Sequence, residues 1–172
     1  MMRPSRRWLL GLPMLLLPGC GFQPLYASGS NATGPARAGL ELISVALIPE
    51  RSGQLLRQAL QARLDHGDAP PAKRFDLLVG FGLDAEGIGI QQDSTVTRMR
   101  WIGHASWTLI TRDSARATVT AGNARAVDGL NVFDQQYFAQ VNQTETVQRR
   151  IADAVAEQIT AQLAAYFHSH PV

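Results

Sequence analysis

The amino-acid sequence predicts an α+β fold: a two-layer sandwich with a four-stranded, mostly antiparallel sheet packed on two helices, in the order β-α-β-β-β-α. Two observations predict it. Two segments, near residues 52–64 and 144–167, repeat their apolar side chains with the period of a helix. Three segments, near 74–84, 98–109 and 115–121, alternate apolar and polar side chains with the period of a strand.

The first two elements precede the alternating strands. Residues 40–48 (LELISVALI) have apolar side chains at both even and odd positions, as expected of a strand covered on both sides. Ser52 can cap the following helix and Gly67 is placed to end it. The apolar positions of this helix lie on one face: Leu55, Leu56, Ala59, Leu60 and Leu64.

The three alternating strands each have one apolar and one polar face. The apolar positions are Phe75, Leu77, Val79, Phe81 and Leu83, then Met99, Trp101, Ala105, Trp107 and Leu109, then Ala115, Ala117, Val119 and Ala121. Short connections, the tightest at residues 112–114, favour antiparallel neighbours. The polar sheet face is therefore expected to stay free for a ligand or partner.

The last element is a long helix near residues 144–167. Asn142 followed three residues later by Glu145 resembles a capping box. Its apolar stripe consists of Val147, Ile151, Ala154, Val155, Ile159 and Leu163. Two amphipathic helices can cover one face of a four-stranded sheet.

The N-terminus has the organisation of a secretory signal peptide. Arg3, Arg6 and Arg7 precede a short apolar run at residues 8–17. A run of this length is too short for a bilayer core, which requires about 20 helical residues. We expect residues 1–19 to be removed before Cys20. Ser5-Arg6-Arg7 weakly resembles a twin-arginine signal, so general and twin-arginine export both stay open.

Leu17-Pro18-Gly19-Cys20 resembles the lipobox of bacterial lipoproteins, in which Leu17 and Gly19 direct the signal peptidase. The resemblance implies N-acyl and S-diacylglycerol groups on Cys20, and more than one acyl chain gives stable anchoring. Gly21 is not the aspartate of an inner-membrane retention signal, so we expect the periplasmic side of the outer membrane. Residues 20–39, small and polar in their second half, are predicted to be a lipidated tether, and residues 40–172 a single domain.

Composition and motifs argue against several classes of function. Three of the 16 basic residues lie in the first seven positions, so the remaining chain, with 13 basic and 14 acidic residues, is close to neutral and unsuited to nucleic acid. The single cysteine excludes a disulfide framework. We expect no catalytic centre, metal or cofactor other than the lipid on Cys20.

Three weak motifs suggest chemistry. Gly80-x-Gly82-x-x-Ala85 formally matches a dinucleotide loop but does not open a helix. His168 and His170 lack a third metal ligand at suitable spacing. Asp84, Glu86 and Asp93 cluster near a turn, where solvated carboxylates are the default alternative to a general acid–base pair.

A row of basic side chains on the predicted polar face of the sheet is the main candidate for ligand contact. Arg98, Arg100, His104 and Arg112 share that face, and Arg116 is expected opposite them. They could be solvated charges that protect sheet edges from aggregation. Alternatively, they could bind an anionic ligand, because arginine forks suit phosphate oxygens.

Residues 20–26 (CGFQPLY) resemble the cysteine-proximal G-F-x-P-L-Y signature of the lipopolysaccharide (LPS)-assembly lipoproteins of the LptE family, in its alphaproteobacterial form. Residues 48–60 (IPERSGQLLRQAL) are similar to the R-x-G-Q-x-L-R-x-x-L stretch of that family, and residues 90–98 (IQQDSTVTR) to its hairpin leading into a T-R strand. The start of the last helix, Asn142-Gln-Thr-Glu145, departs from the acidic-alanine start usual in the family.

The resemblance implies a plug in the outer-membrane β-barrel LptD that assists barrel assembly and helps deliver LPS to the cell surface. Arg98, Arg100 and Arg112 would then contact lipid A phosphates or the barrel wall. Two alternatives stay open. One is an auxiliary periplasmic lipoprotein of an ABC-type phospholipid transport system, and the other is an envelope hydrolase acting through Asp84, Glu86 and Asp93.

Overall fold

The structure is a computed structural model that describes residues 35–65, 71–90, 96–131 and 137–172. All of them belong to one compact unit, Thr33–Val172. The predicted signal peptide, the lipobox residues Leu17 and Gly19, and the acceptor Cys20 lie outside the described residues.

The predicted α+β architecture is confirmed. A single four-stranded sheet has the order β1-β2-β3-β4, with β1 parallel to β2 and the other pairs antiparallel. Its strands are β1 Ile43–Val45, β2 Phe75–Ile90, β3 Val96–Thr111 and β4 Thr118–Asn131. The helices are α1 Pro35–Glu41, α2 Glu50–Leu64 and α3 Tyr137–Ser169.

The core lies between the helices and one face of the sheet. The predicted helical stripes point into it, and Leu56, Leu60, Val155, Ile159 and Leu163 are fully buried. They meet inward side chains of the sheet, chiefly Leu77, Trp107 and Leu109. Burying each large apolar side chain contributes about 1.5–3 kcal/mol, so this interface holds the two layers together.

The domain begins earlier than predicted. Residues 35–39, assigned to the tether, form helix α1 with residues 40–41, and only Ile43–Val45 of the predicted strand 40–48 pair with β2. Gly39 is buried so closely under the Phe167 ring that a Cβ would overlap it. Packing on α3, together with the Arg37–Glu41 ion pair at 3.0 Å, overrides a composition typical of linkers.

Both predicted helix caps are wrong. Helix α2 begins at Glu50 after Pro49, which makes no side-chain cap, so Ser52 lies inside the helix. Helix α3 begins at Tyr137, so Asn142 is also helical, and Glu145 instead accepts a hydrogen bond from Arg51 at 2.8 Å. Helix α2 ends at Leu64, and Gly67 lies outside the described residues.

The predicted inward face of β4 is also wrong. Ile110 pairs with Thr118 and Leu109 with Thr120, so Val119 is an extra residue, a β-bulge. Because side chains alternate along a strand, this extra residue exchanges the inward-facing and outward-facing positions in the rest of β4. Ala121 is therefore exposed, Ala115 and Ala117 lie in the exposed turn, and Ala124, Ala126 and Leu130 are buried instead.

Candidate functional site

The face of the sheet opposite the helices is the candidate functional surface, and we call it the open face. Pairing across β2, β3 and β4 brings its side chains into rows, such as Glu86–Arg100–Gly129 and Gly82–His104–Arg125. The polar members of the open face include Asp76, Asp84, Glu86, Arg98, Arg100, His104, Ser106, Thr108, Asn123, Arg125 and Asn131, with Arg112 just past the end of β3.

Arg98 and Arg100 lie together at one end of the open face, as their shared parity predicts. Arg100 donates a hydrogen bond to Glu86 Oε1 at 2.6 Å, and this bond lowers the pKa of the Glu86 carboxyl, with a further contribution from the Arg125 charge. The same bond raises the pKa of Arg100. Arg98 is exposed, and no described carboxylate lies within ion-pair distance of it.

Arg112 does not join this pair. At about 3.3 Å per residue, the length of β3 places it about 45 Å from Arg98. There it lies 3.5 Å from Asp76 across the strand pair. A single phosphate group cannot contact Arg98 and Arg112 together, so the predicted row is two separate cationic positions.

A shallow trough occupies the centre of the open face. It has a volume of about 560 Å³, is open to solvent and is floored by Gly80 and Gly82, which have no side chains. The residues around it are His104, Ala105, Ser106, Asn123, Ala124, Arg125 and Gln158. His104 lies 3.3 Å from Asp84, which leaves Arg125 as a rim cation without a carboxylate partner among the described residues.

Arg125 was missed by the sequence analysis. The strand was predicted to end at Ala121, and the parity taken from Val119 would have turned Arg125 inward. The continued alternation of Asn123, Arg125 and Val127 with buried alanines was the available signal. The bulge at Val119 places these residues on the open face.

Two of the three acid–base candidates, Asp84 and Glu86, each lie beside a basic side chain. Asp84 and Glu86 are exposed and lie within ion-pair distance of His104 and Arg100, respectively, and Asp93 is outside the described residues.

The remaining candidates do not join a site. Arg116 lies in the β3–β4 turn with a positive φ of 45°. His170 stacks on Tyr166 with ring centroids 4.4 Å apart. Among the residues that the structure covers, no group of three potential metal ligands comes together.

The glycine motif also has a structural role. Gly80, Gly82 and Ala85 lie within β2, so no helix N-terminus follows them to hold a phosphate. None of the described helices is long and apolar enough to cross a bilayer.

Comparison with models of protein families identifies the family of the chain. The model of the family LptE, described as lipopolysaccharide-assembly, matches residues 40–163. The chain belongs to the LptE family. The match spans α2, the whole sheet and most of α3, so it covers the open face but not the signature at Cys20. No curated protein sequence matches the chain.

Solved structures share the LptE-like fold at low sequence identity. A lipoprotein from Caulobacter crescentus CB15 is 22% identical with a TM-score of 0.61, covering 77% of this chain and 95% of that chain. Lipoprotein B from Nitrosomonas europaea is 14% identical with a TM-score of 0.53, covering 72% and 81%. Rare lipoprotein B from Shewanella oneidensis is 12% identical with a TM-score of 0.50, covering 72% and 92%.

Proposed function

We propose that this LptE-family chain is an outer-membrane lipoprotein that plugs an LptD-like β-barrel, assists its assembly and helps deliver and insert LPS at the cell surface. Family membership over residues 40–163 carries the proposal, because the family is one of non-enzymatic LPS-assembly lipoproteins. Removal of residues 1–19 and acylation of Cys20 would anchor the chain on the periplasmic side of the outer membrane.

The two-sided sheet supports a plug. One sheet face is covered by the helices, while the open face presents charged and hydrogen-bonding groups to water, together with the exposed side chains of Leu78 and Val127. A body enclosed by a water-filled barrel needs such a surface, because the polar groups of the lumen wall would be costly to bury against apolar side chains. The rows of charged and hydrogen-bonding side chains on the open face provide such groups.

The arginines of the open face are proposed contacts for lipid A phosphates or for the barrel wall. A guanidinium group donates two parallel hydrogen bonds to a phosphate, which makes it well suited to this ligand. Arg98 has no carboxylate to displace among the described residues, whereas Arg100 would have to leave Glu86. Arg112, at the far end of the face, would make a separate contact.

Binding of LPS to the purified lipoprotein in detergent tests these contacts. Reversing both charges, with Arg98→Glu and Arg100→Glu, should weaken binding about tenfold or more, because a charge-assisted hydrogen bond is worth roughly 1.5–3 kcal/mol. A matched control reverses Arg37 and Arg149, which lie on helices and carry the same total charge. Equal affinity of the two double variants, with folding intact, would reject the assignment.

The auxiliary lipoprotein of an ABC-type phospholipid transport system gains no support from these comparisons. The family match is to LPS assembly, and no feature of the open face is specific to phospholipid. The envelope hydrolase is likewise not proposed, because Asp84 and Glu86 lie beside His104 and Arg100 on an exposed surface.

A further inference from the structure

Among the described residues, strand β2 has a neighbouring strand on only one side over most of its length. Strand β1 pairs only with residues 75–77 of β2, whereas β3 pairs with β2 along its whole length. From Val79 onward, β2 therefore has a neighbouring strand on one side only in the described part of the chain. The β2–β3 register is regular up to Gly87, so no bulge interrupts this edge between Val79 and Ala85.

The hydrogen bonds at the start of β2 show which backbone groups face the edge. Phe75 N–H donates to Leu42 O at 3.2 Å and Leu77 O accepts from Ala46 N–H at 3.0 Å, both on the β1 side. Arg74 O accepts from Arg112 N–H at 2.9 Å, on the β3 side. Antiparallel pairing alternates residue by residue. The N–H and C=O groups of Val79, Phe81, Leu83 and Ala85 consequently point outward.

The opposite edge of the sheet is protected by side chains. Gln158 of α3 donates to Arg125 O at 3.0 Å and accepts from Arg125 N–H at 3.1 Å. Gln162 donates to Asn123 O at 3.0 Å. Over residues 79–85, by contrast, β2 has no proline, lysine or bulge, which are the usual devices that block pairing at an edge. An edge of this kind is a template for another strand.

The side chains of β2 specify the chemistry of that strand. Phe81 and Leu83 on the helix side are only partly buried, so apolar neighbours would extend the core. On the open face, the charged residues of β2 are all acidic, and Asp84 is 76% exposed. A second copy of β2 would bring only further carboxylates, which disfavours self-pairing because like charges on adjacent strands repel.

We propose that the edge of β2 from Val79 to Ala85 binds an extended segment of a different protein, in which apolar and basic side chains alternate. This segment would add a fifth strand to the sheet, with its apolar residues beside Phe81 and Leu83 and its basic residues beside Asp84 and Glu86. This protein contact at the edge does not rest on LPS binding, although a basic residue beside Glu86 would share that carboxylate with Arg100.

Residue-specific amide hydrogen exchange of the full mature lipoprotein in detergent tests this. The probe is a short blocked peptide in which valine and lysine alternate, and the control peptide has glutamate in place of lysine. The lysine peptide should slow exchange about tenfold or more at Phe81, Leu83 and Ala85. Exchange at Gly80 and Gly82, which already bond β3, should not change. Three results would each overturn the proposal. They are no slowing of amide exchange, equal slowing at the outward amides and at Gly80 and Gly82, and an equal effect of the glutamate peptide.

Substitutions at the edge sharpen the test. Leu83→Pro removes an outward donor without removing a bond to β3, so the sheet should persist and the response to peptide should disappear. Leu83→Ala, which keeps the donor, should still respond. If the proline variant does not fold, Asp84→Lys replaces it. This exposed charge reversal should make the glutamate peptide slow amide exchange more than the lysine peptide does. A response that survives Leu83→Pro, or an unchanged preference in Asp84→Lys, would contradict edge pairing.

Discussion

Two glycines show how differently the faces of the sheet constrain single residues. Gly103 lies under α3, where an added Cβ would overlap Ile151 Cγ2. Gly82 lies one row away on the neighbouring strand and faces the trough, where an added Cβ would meet nothing within 4 Å. Gly103 therefore sets how closely α3 approaches β3, while Gly82 only keeps the trough open.

This contrast predicts opposite responses to the same substitution. Gly103→Ala should lower the free energy of unfolding by about 1–3 kcal/mol, the usual cost of overpacking a core. Gly82→Ala should change it by less than about 0.5 kcal/mol, as at most exposed positions. Urea unfolding of both variants measures the difference. Equal costs would contradict the position of α3 over β3.

Asp113 organises the turn between β3 and β4. Its Oδ1 accepts from the Thr111 hydroxyl at 2.8 Å and from the Ala115 and Arg116 N–H groups at 3.0 Å. The hydroxyl bond is the largest cause that lowers the pKa of the Asp113 carboxyl, and these two backbone bonds add to it. The charged carboxylate therefore stabilises a turn in which Arg116 adopts a left-handed backbone.

The lowered pKa predicts a pH dependence with a definite sign. The contribution of Asp113 to stability is present above the usual aspartate pKa of about 3.9, and is lost as the pH falls through the lower pKa of the folded state. Carboxyl-carbon NMR titration should give a midpoint below the usual one, and Thr111→Val should raise it. A midpoint at the usual value in the unsubstituted protein would contradict this account of the turn.

At the scale of elements, α3 both covers the core and closes the edge of β4. The Gln158 amide imitates a neighbouring strand by bonding both backbone groups of Arg125, and Gln162 also accepts from the Trp107 indole N–H at 3.0 Å. Two glutamines one helical turn apart thus cover the edge of β4, the last strand in the sheet order.

Removing one of these amides should loosen the edge. Gln158→Ala should destabilise the domain by about 1 kcal/mol, the typical net value of a hydrogen bond, and should speed amide exchange at Arg125. Glu157→Ala, at the exposed neighbouring position, is the control and should do neither. Unchanged exchange at Arg125 in the Gln158 variant would show that the edge is closed by other means.

Periodicity predicted the elements that bury a repeating face. Helices α2 and α3, strands β2 and β3, and the shared face of Arg98 and Arg100 all follow from it. It could not predict α1, whose glycine and alanine composition is that of a linker until Phe167 packs over Gly39. It also missed the bulge at Val119, since one extra residue leaves no compositional trace yet moves Arg125 to the open face.

In the domain as a whole, the helices cover one face of the sheet, and no described element covers the other face or the β2 edge beyond residue 77. The open face has arginines at both ends and a trough at its centre, and within the described part of the chain the β2 edge has no strand partner over residues 79–85. These surfaces suit different ligands, an anion for the face and an extended chain for the edge. A lipoprotein of LPS assembly would use the first for lipid or barrel contact and the second for a separate protein contact.

Co-purification tests the proposed partnership with an outer-membrane barrel. The tagged lipoprotein is purified from detergent-solubilised outer membranes, and the proteins that accompany it are identified by mass. The account predicts one large β-barrel of the LptD type in equal molar amount. Recovery of an ABC-transporter component in its place, or of the lipoprotein alone, would contradict it.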